Sequence, residues 1–307
     1  MESPQTPADA VRSRQPAPGN QFRDECPLCG SRQMRLLLHL RSSQLMECDQ
    51  CRLRYTDVYG THESIVEYYS RVQAHHGKLD NQEAQLAAIA RAQADAIDLL
   101  CGVRRQGRIL EVGCSRGHLL EILEERGWES CGVDLSAASA QEARARVSGP
   151  IHQGIVELLP LPTDHFDVVA MFDVLAHLPQ PRGTLDAMAT ALKPGGLLVL
   201  STVNESWPLV PVFQALFKTL PGRTKDLRDE MYEGQHYCYF GEKTVGRLLE
   251  EVGLQLLEVQ PLQPLSARFF AHQYSWRRRL ALHAMARADQ ILGSSRKMLV
   301  LARKPVP

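Results

Sequence analysis

Arg108-Ile109-Leu110-Glu111-Val112-Gly113-Cys114-Ser115-Arg116-Gly117-His118-Leu119-Leu120 is the stretch whose reading decides the fold. Ile109 to Val112 is an apolar run carrying one acid and reads as a buried strand. Gly113 and Gly117 frame a turn, and Leu119, Leu120, Ile122 and Leu123 then start a helical rhythm. Strand, glycine turn and helix make a nucleotide-type site, because a residue without Cβ lets backbone N–H groups approach a ligand closely.

Downstream the alternation repeats. A helix from about His118 to Arg126 is stopped by Gly127, and Ser130 to Ser136 is a second strand with Asp134 at its tip. An acid there can accept both hydroxyls of a ribose, with Ser136 left to cap the next helix, Ala138–Val147. Further strands are expected near Ile151–Gln153 and over Phe166–Asp173, Leu197–Thr202, Leu254–Val259 and Lys297–Ala302. Helices over Thr184–Leu192 and Thr244–Val252 fall between them. The alternation predicts an α/β fold with a doubly wound, parallel sheet and a ligand across the C-terminal strand ends.

Two insertions break the rhythm. Residues 203–235 carry Trp207, Phe213 and Phe217 among prolines; they could roof the site as a lid and shape an acceptor pocket, or pack on the domain edge. Residues 262–296 read as a basic helical insertion. From 262 to 307 nine Lys/Arg stand against one Asp, which suits a solvated face or contact with an anionic lipid surface or acidic substrate.

Upstream, Glu83 to Cys101 is an alanine-rich amphipathic helix, fixing a domain boundary near residue 80. Residues 61–82, with Tyr68, Tyr69, His75 and His76, read as a linker with an aromatic contact. Within residues 21–60, Cys26 and Cys29 are followed after 18 residues by Cys48 and Cys51. Two C-x-x-C knuckles at this separation supply four thiolates to a tetrahedral Zn²⁺, predicting a zinc ribbon. Six Arg against five Asp/Glu over residues 20–60 give it no basic face for RNA. Residues 1–20, proline-rich and short of apolar side chains, read as a disordered lead.

The bulk figures agree. The 307 residues are 44% hydrophobic with zero formal net charge, so nothing global points to nucleic acid or membrane. No apolar run reaches about 18 residues, and the N-terminus lacks the core of a signal peptide. Eight cysteines, four of them in two close pairs, fit a reducing, cytoplasmic setting.

A dinucleotide fingerprint needs G-x-G-x-x-G, whereas the second glycine here falls at 117 with Ser115 between. Glu111, Gly113 and Gly117 instead resemble the first motif of the class I S-adenosylmethionine-dependent methyltransferases, an acid followed by x-G-x-G-x-G, with Ser115 replacing the middle glycine. Gly132-Val133-Asp134 resembles the second motif of that family. Leu159-Pro160-Leu161 with Phe166-Asp167-Val168-Val169, and then Leu192-Lys193-Pro194-Gly195-Gly196, are similar to later ones. The resemblance spans residues 83–307 and implies a mostly parallel, seven-stranded Rossmann-like methyltransferase sheet. It implies S-adenosylmethionine held by Glu111, Gly113, Cys114, Gly117, Asp134, Leu135, Ile155, Val156 and Asp173. Ile155 stands where many relatives carry an acid, Ala176 replaces a glutamate before His177, and Arg52 stands where similar knuckles have glycine.

The resemblance also implies methyl transfer to a small-molecule acceptor. For an oxygen acceptor, Asp173, His177 and His236 are the candidate bases near the strand ends, and the two histidines are preferred, since imidazole can take a hydroxyl proton near neutral pH. An RNA methyltransferase using the ribbon for RNA contact, and a C-methyltransferase acting on a sugar or lipid-linked acceptor, stay open at this point.

Overall fold

The computed structural model describes residues 19–76, 82–101, 107–232, 235–262 and 276–307. The N-terminal lead up to residue 18 and residues 263–275 of the basic insertion lie outside the described residues. The strands are β1 Asn20–Phe22, β2 Met34–His39, β3 Gln44–Cys48, β4 Arg54–Thr56, β5 Val58–Gly60, β6 Arg108–Val112, β7 Glu129–Asp134, β8 Ile151–Gln153, β9 Phe166–Phe172, β10 Leu192–Val203, β11 Cys238–Tyr239, β12 Gln255–Leu262 and β13 Lys297–Arg303. The helices are α1 His62–His76, α2 Gln82–Cys101, α3 His118–Glu125, α4 Ala137–Arg146, α5 Pro181–Ala191, α6 Val210–Thr219, α7 Lys225–Tyr232, α8 Glu242–Glu251 and α9 Trp276–Leu292.

Seven strands form the central sheet in the order β12-β13-β10-β9-β6-β7-β8. β13 runs antiparallel to both neighbours, and the remaining pairs are parallel. The doubly wound reading therefore holds, with one reversed strand. Side chains alternate between two buried faces, as a sheet covered on both sides demands. Leu110, Val112, Val169, Met171 and Leu200 pack with α5 and α8, while Ile109, Val168, Ala170 and Val199 pack with α2 and α3. β10 begins five residues earlier than expected, because Leu192 pairs with Phe166 before the turn around Gly195 shifts the register to Leu197 and Val168.

The cysteine-bearing segment joins this body. β2, β3 and β4 form an antiparallel sheet whose fourth strand is β11, contributed from near residue 238, with Cys238 opposite Tyr55 and Tyr239 opposite Arg54. Cys26, Leu28, Met46, Cys48 and Tyr55 share one buried cluster with Leu110 and Val169 of the main sheet. Glu47, nearly inaccessible, takes Arg54 Nε at 3.0 Å, and Arg54 Nη1 continues to Glu205 at 2.7 Å. Arg296 Nη1 closes the chain of charges on the other Glu205 oxygen at 2.6 Å.

Two stretches differ from their expected form. Residues 62–76, read as part of a linker, are helix α1. The insertion after β10 folds into α6 and α7, whose Phe217 and Tyr232 pack on Leu38, Leu40 and Leu45 of the β2–β3 hairpin. That hairpin offers an apolar face, which is why the aromatic cluster turns toward it. No helix among the described residues is long and apolar enough to cross a membrane.

Candidate functional site

A cavity of about 300 Å³ opens at the C-terminal ends of β6, β7 and β9. Gly113, Asp134, Leu135, Ile155, Val156, Asp173 and His177 line it, as the sequence anticipates. Glu111, Cys114, Gly117 and His236 are not among its lining residues.

The glycine turn is shaped by sterics. Gly113 has φ +80°, and a Cβ there would lie 2.4 Å from Val174 Cγ2, so only glycine lets β6 pass so close to the segment after β9. Gly117 at φ +79° caps α3. Ser115, between them, adopts φ +48° and so bears the left-handed strain a glycine would avoid. Its N–H donates to Asp134 Oδ2 at 2.8 Å, which ties the turn to the tip of β7. Ser115→Gly is expected to raise stability by about 0.5 kcal/mol, since the relief of roughly 1–2 kcal/mol is partly offset by glycine's larger unfolded-state entropy. Thermal unfolding checks this, and a lowered midpoint would contradict it.

Asp134 Oδ1 accepts from Ser136 N–H at 2.8 Å, and Ser136 Oγ in turn caps α4 through Ser139 N–H at 3.3 Å. The carboxylate thus faces the cavity without being consumed as a helix cap. Burial lifts its pKa above the ordinary range, while the Ser136 and Ser115 N–H groups pull the other way. Beneath it Glu111 is buried, its carboxyl pushed up to about 8 by burial and by the Asp134 charge. Glu111 Oε2 has no hydrogen-bond partner among the described residues. The glycine turn, with its backbone N–H groups, and the acid facing the cavity from the tip of β7 are the donor and acceptor set that an adenosyl cofactor needs.

At the other end, Asp173 has φ +57°, held by its N–H to Ser201 O and Oγ, both at 3.1 Å. Its Oδ1 accepts from Ser201 Oγ at 3.2 Å and its Oδ2 from Lys297 Nζ at 2.5 Å. His177 Nδ1 lies 3.0 Å from the Gln235 carbonyl oxygen. A carbonyl only accepts, so Nδ1 carries the proton and Nε2 keeps the lone pair. Burial pushes the His177 pKa below its ordinary value. His236 packs edge-on against His177 at 4.5 Å between centroids, and burial pushes it down to about 3, so it is neutral as well.

Sequence reasoning missed one wall. His62, Ile65 and Tyr69 of α1 line the cavity, and Tyr69 meets His177 edge-on at 6.2 Å. The adjacent Tyr68 and Tyr69 were the available signal. No residue of 203–232 lines the cavity, so α1 takes the position anticipated for the later insertion. Arg23 is a second omission. Its Nη2 donates to Pro179 O at 2.7 Å, and its guanidinium lies 4.6 Å over the Tyr59 ring, pinning the Leu178–Pro179 wall to the N-terminal segment.

The sulfurs of Cys26, Cys29, Cys48 and Cys51 lie within 4.8 Å of one another, with Cys26–Cys51 at 3.4 Å and Cys29–Cys48 at 3.5 Å. Four thiolates on one tetrahedral Zn²⁺ with bonds of about 2.3 Å stand about 3.8 Å apart, so the donor set fits that ion. Arg52 sits at φ +65°, which explains why glycine suits the position. Its Nη2 meets Glu47 Oε1 at 2.6 Å.

Comparison with known proteins agrees with this geometry. The model of a family described as a methyltransferase domain matches residues 81–259. A ubiquinone biosynthesis O-methyltransferase of Idiomarina loihiensis is 37% identical over 111 residues, 33% of this chain and 46% of the relative. One of the same name from Aeromonas salmonicida is 28% identical over 177 residues, 53% of this chain and 69% of the relative. The chain spans about half the length of most of the curated relatives it matches. Among solved structures, magnesium protoporphyrin IX methyltransferase from Synechocystis, with bound S-adenosylhomocysteine, covers 78% of this chain and 98% of its own at 15% identity and a TM-score of 0.51. Geranyl diphosphate C-methyltransferase from Streptomyces coelicolor covers 70% of this chain and 76% of its own at 17% identity and the same TM-score. These likenesses concern the fold. With the family model matched over more than half of its length, this chain belongs to the methyltransferase-domain family and carries the class I S-adenosylmethionine-dependent methyltransferase fold.

Proposed function

We propose that the protein transfers a methyl group from S-adenosylmethionine to an oxygen of a small-molecule acceptor. The single observation that carries this reading is His177, half-buried at the cavity wall with Nδ1 3.0 Å from the Gln235 carbonyl oxygen, a contact that leaves Nε2 as the free lone pair. Asp134 would hold the ribose hydroxyls, the turn from Gly113 to Gly117 the amino-acid portion, and Leu135, Ile155 and Val156 the adenine. Asp173 would serve the methionine ammonium. Bound S-adenosylmethionine supplies an activated methyl on a sulfonium. His177 Nε2 takes the proton of the acceptor hydroxyl, and the Gln235 carbonyl steadies the imidazole by accepting from Nδ1–H. His236 supports the His177 ring from behind rather than acting as a second base, because its depressed pKa makes it a poor proton acceptor. The relatives named as O-methyltransferases favour oxygen over carbon as the acceptor atom.

Cys26, Cys29, Cys48 and Cys51 would hold a structural Zn²⁺. RNA contact is not favoured, because residues 20–60 carry six Arg against five Asp/Glu and so have little excess positive charge.

The test is uptake of labelled methyl from S-adenosylmethionine into a metabolite extract. His177→Ala is expected to lower turnover about 10²–10⁴-fold while leaving S-adenosylhomocysteine affinity unchanged. Because His177 must be neutral and its pKa is lowered, the acid limb of the wild-type rate profile is expected below pH 6.5. Undiminished turnover in His177→Ala would overturn the assignment.

A further inference from the structure

We propose that Glu157 selects the base of the cofactor: its carboxylate accepts the exocyclic amino group of a 6-aminopurine and rejects a purine that carries a carbonyl there. This rests on the reading of the cavity as an S-adenosylmethionine site and names a residue that decides which nucleoside the site takes.

Three carboxylates line the cavity, and two of them are already engaged on both oxygens. Asp134 accepts the N–H groups of Ser115 and Ser136, and Asp173 accepts Ser201 Oγ and Lys297 Nζ. Glu157 is the third. It stands in a single turn of 3₁₀ helix, Val156–Leu158, that follows β8, beside the Ile155 and Val156 proposed to hold the adenine. Its neighbour Leu158 is 70% exposed, so the turn sends one side chain to solvent and the one before it to the cavity wall.

The carboxylate is held from a second element. Thr184 of α5 is buried, lines the same cavity, and donates from Oγ1 to Glu157 Oε2 at 3.1 Å. Among the described residues that hydroxyl is its one hydrogen-bond partner, and no Lys or Arg pairs with it, so Oε1 is left to accept. Leu135, Ile155, Val156 and Pro179 on the same wall have no side-chain acceptor to offer. A carboxylate oxygen in such a wall attracts an N–H and repels a carbonyl oxygen. At the six position adenine presents an amino group, whereas guanine and hypoxanthine present a carbonyl, so one side chain separates them by the sign of the contact rather than by size.

The test titrates the full-length protein calorimetrically with S-adenosylhomocysteine and with S-inosylhomocysteine, which differ at the six position of the purine. Wild type is expected to bind the adenosyl compound about 100-fold more tightly. Glu157→Gln keeps the size and offers an amide N–H to the carbonyl, so the preference is expected to fall about tenfold. Glu157→Ala, should the glutamine variant not fold, is expected to lower the same ratio. Thr184→Val keeps the carboxylate but frees it, and an intermediate preference is expected. A glutamate that merely ties its turn to α5 would move the melting midpoint and leave the ratio where it was. A wild-type preference below about threefold, or a ratio in the Glu157 variants within about threefold of wild type, would overturn the proposal. If wild-type protein fails to bind S-adenosylhomocysteine, the reading of the cavity itself falls; if it binds both compounds alike, only the Glu157 assignment does.

Discussion

Cys48→Ala is expected to abolish zinc binding at the proposed four-cysteine site, unfold the N-terminal hairpins and weaken cofactor binding at a site to which Cys48 contributes no atom. The reason lies in how the small sheet is built. Cys48 is fully buried at the end of β3, in the same apolar cluster as Leu110 and Val169 of the main sheet. β4 pairs with β11, only two residues beyond His236, and Tyr237 N–H donates to Ala176 O beside His177. Arg23, before the first knuckle, holds Pro179 O, and α1, directly after β5, supplies His62, Ile65 and Tyr69 to the cavity. A structural zinc contributes on the order of 10 kcal/mol to folding a small module. Even a fraction of that is expected to lower the melting midpoint by about 10 °C or more. Zinc release with a chromogenic chelator, thermal unfolding and S-adenosylhomocysteine titration would follow the three effects. A Cys48→Ala protein retaining full cofactor affinity would mean that the ribbon is an appendage.

Asp134→Ala is expected to weaken S-adenosylhomocysteine binding at least about 100-fold while leaving the fold intact. A carboxylate accepting two ribose hydroxyls makes two charge-assisted hydrogen bonds of about 1.5–3 kcal/mol each. The same side chain fastens Ser115 N–H, so its loss also loosens the strained residue of the glycine turn. Asp134→Asn separates the two roles. It keeps one acceptor oxygen for Ser115 or Ser136 but loses the charge, and an intermediate affinity is expected. Calorimetry reads both variants, and an Asp134→Ala protein within threefold of wild type would remove the ribose assignment.

What could be read in advance depended on how local the signal was. The strand from Arg108 to Val112, the glycine turn, and the acid at 134 are fixed by short-range sterics and periodicity, and the structure keeps them within a residue or two. The same holds for Ser136 as the cap of α4. The cysteine spacing likewise announced its cluster. Contacts between distant segments left no such mark. Tyr68 and Tyr69 mark the segment as aromatic, but nothing near them says that the helix will line the same cavity as β7 and β9, and nothing near Arg23 points to Pro179, 156 residues away. The pairing of β11 with β4 required two segments that are each too short to show a period. The aromatic insertion was legible as apolar, but its destination was set by the β2–β3 hairpin rather than by the cavity.

The central claim is that the cavity between Gly113 and His177 is built for an adenosyl sulfonium cofactor rather than a dinucleotide. Isothermal titration of the wild-type chain with S-adenosylmethionine, S-adenosylhomocysteine and NAD tests it most directly. Binding of the first two at one equivalent, with no heat from NAD, is the predicted result. Binding of NAD, or no binding of either adenosyl compound, would contradict it.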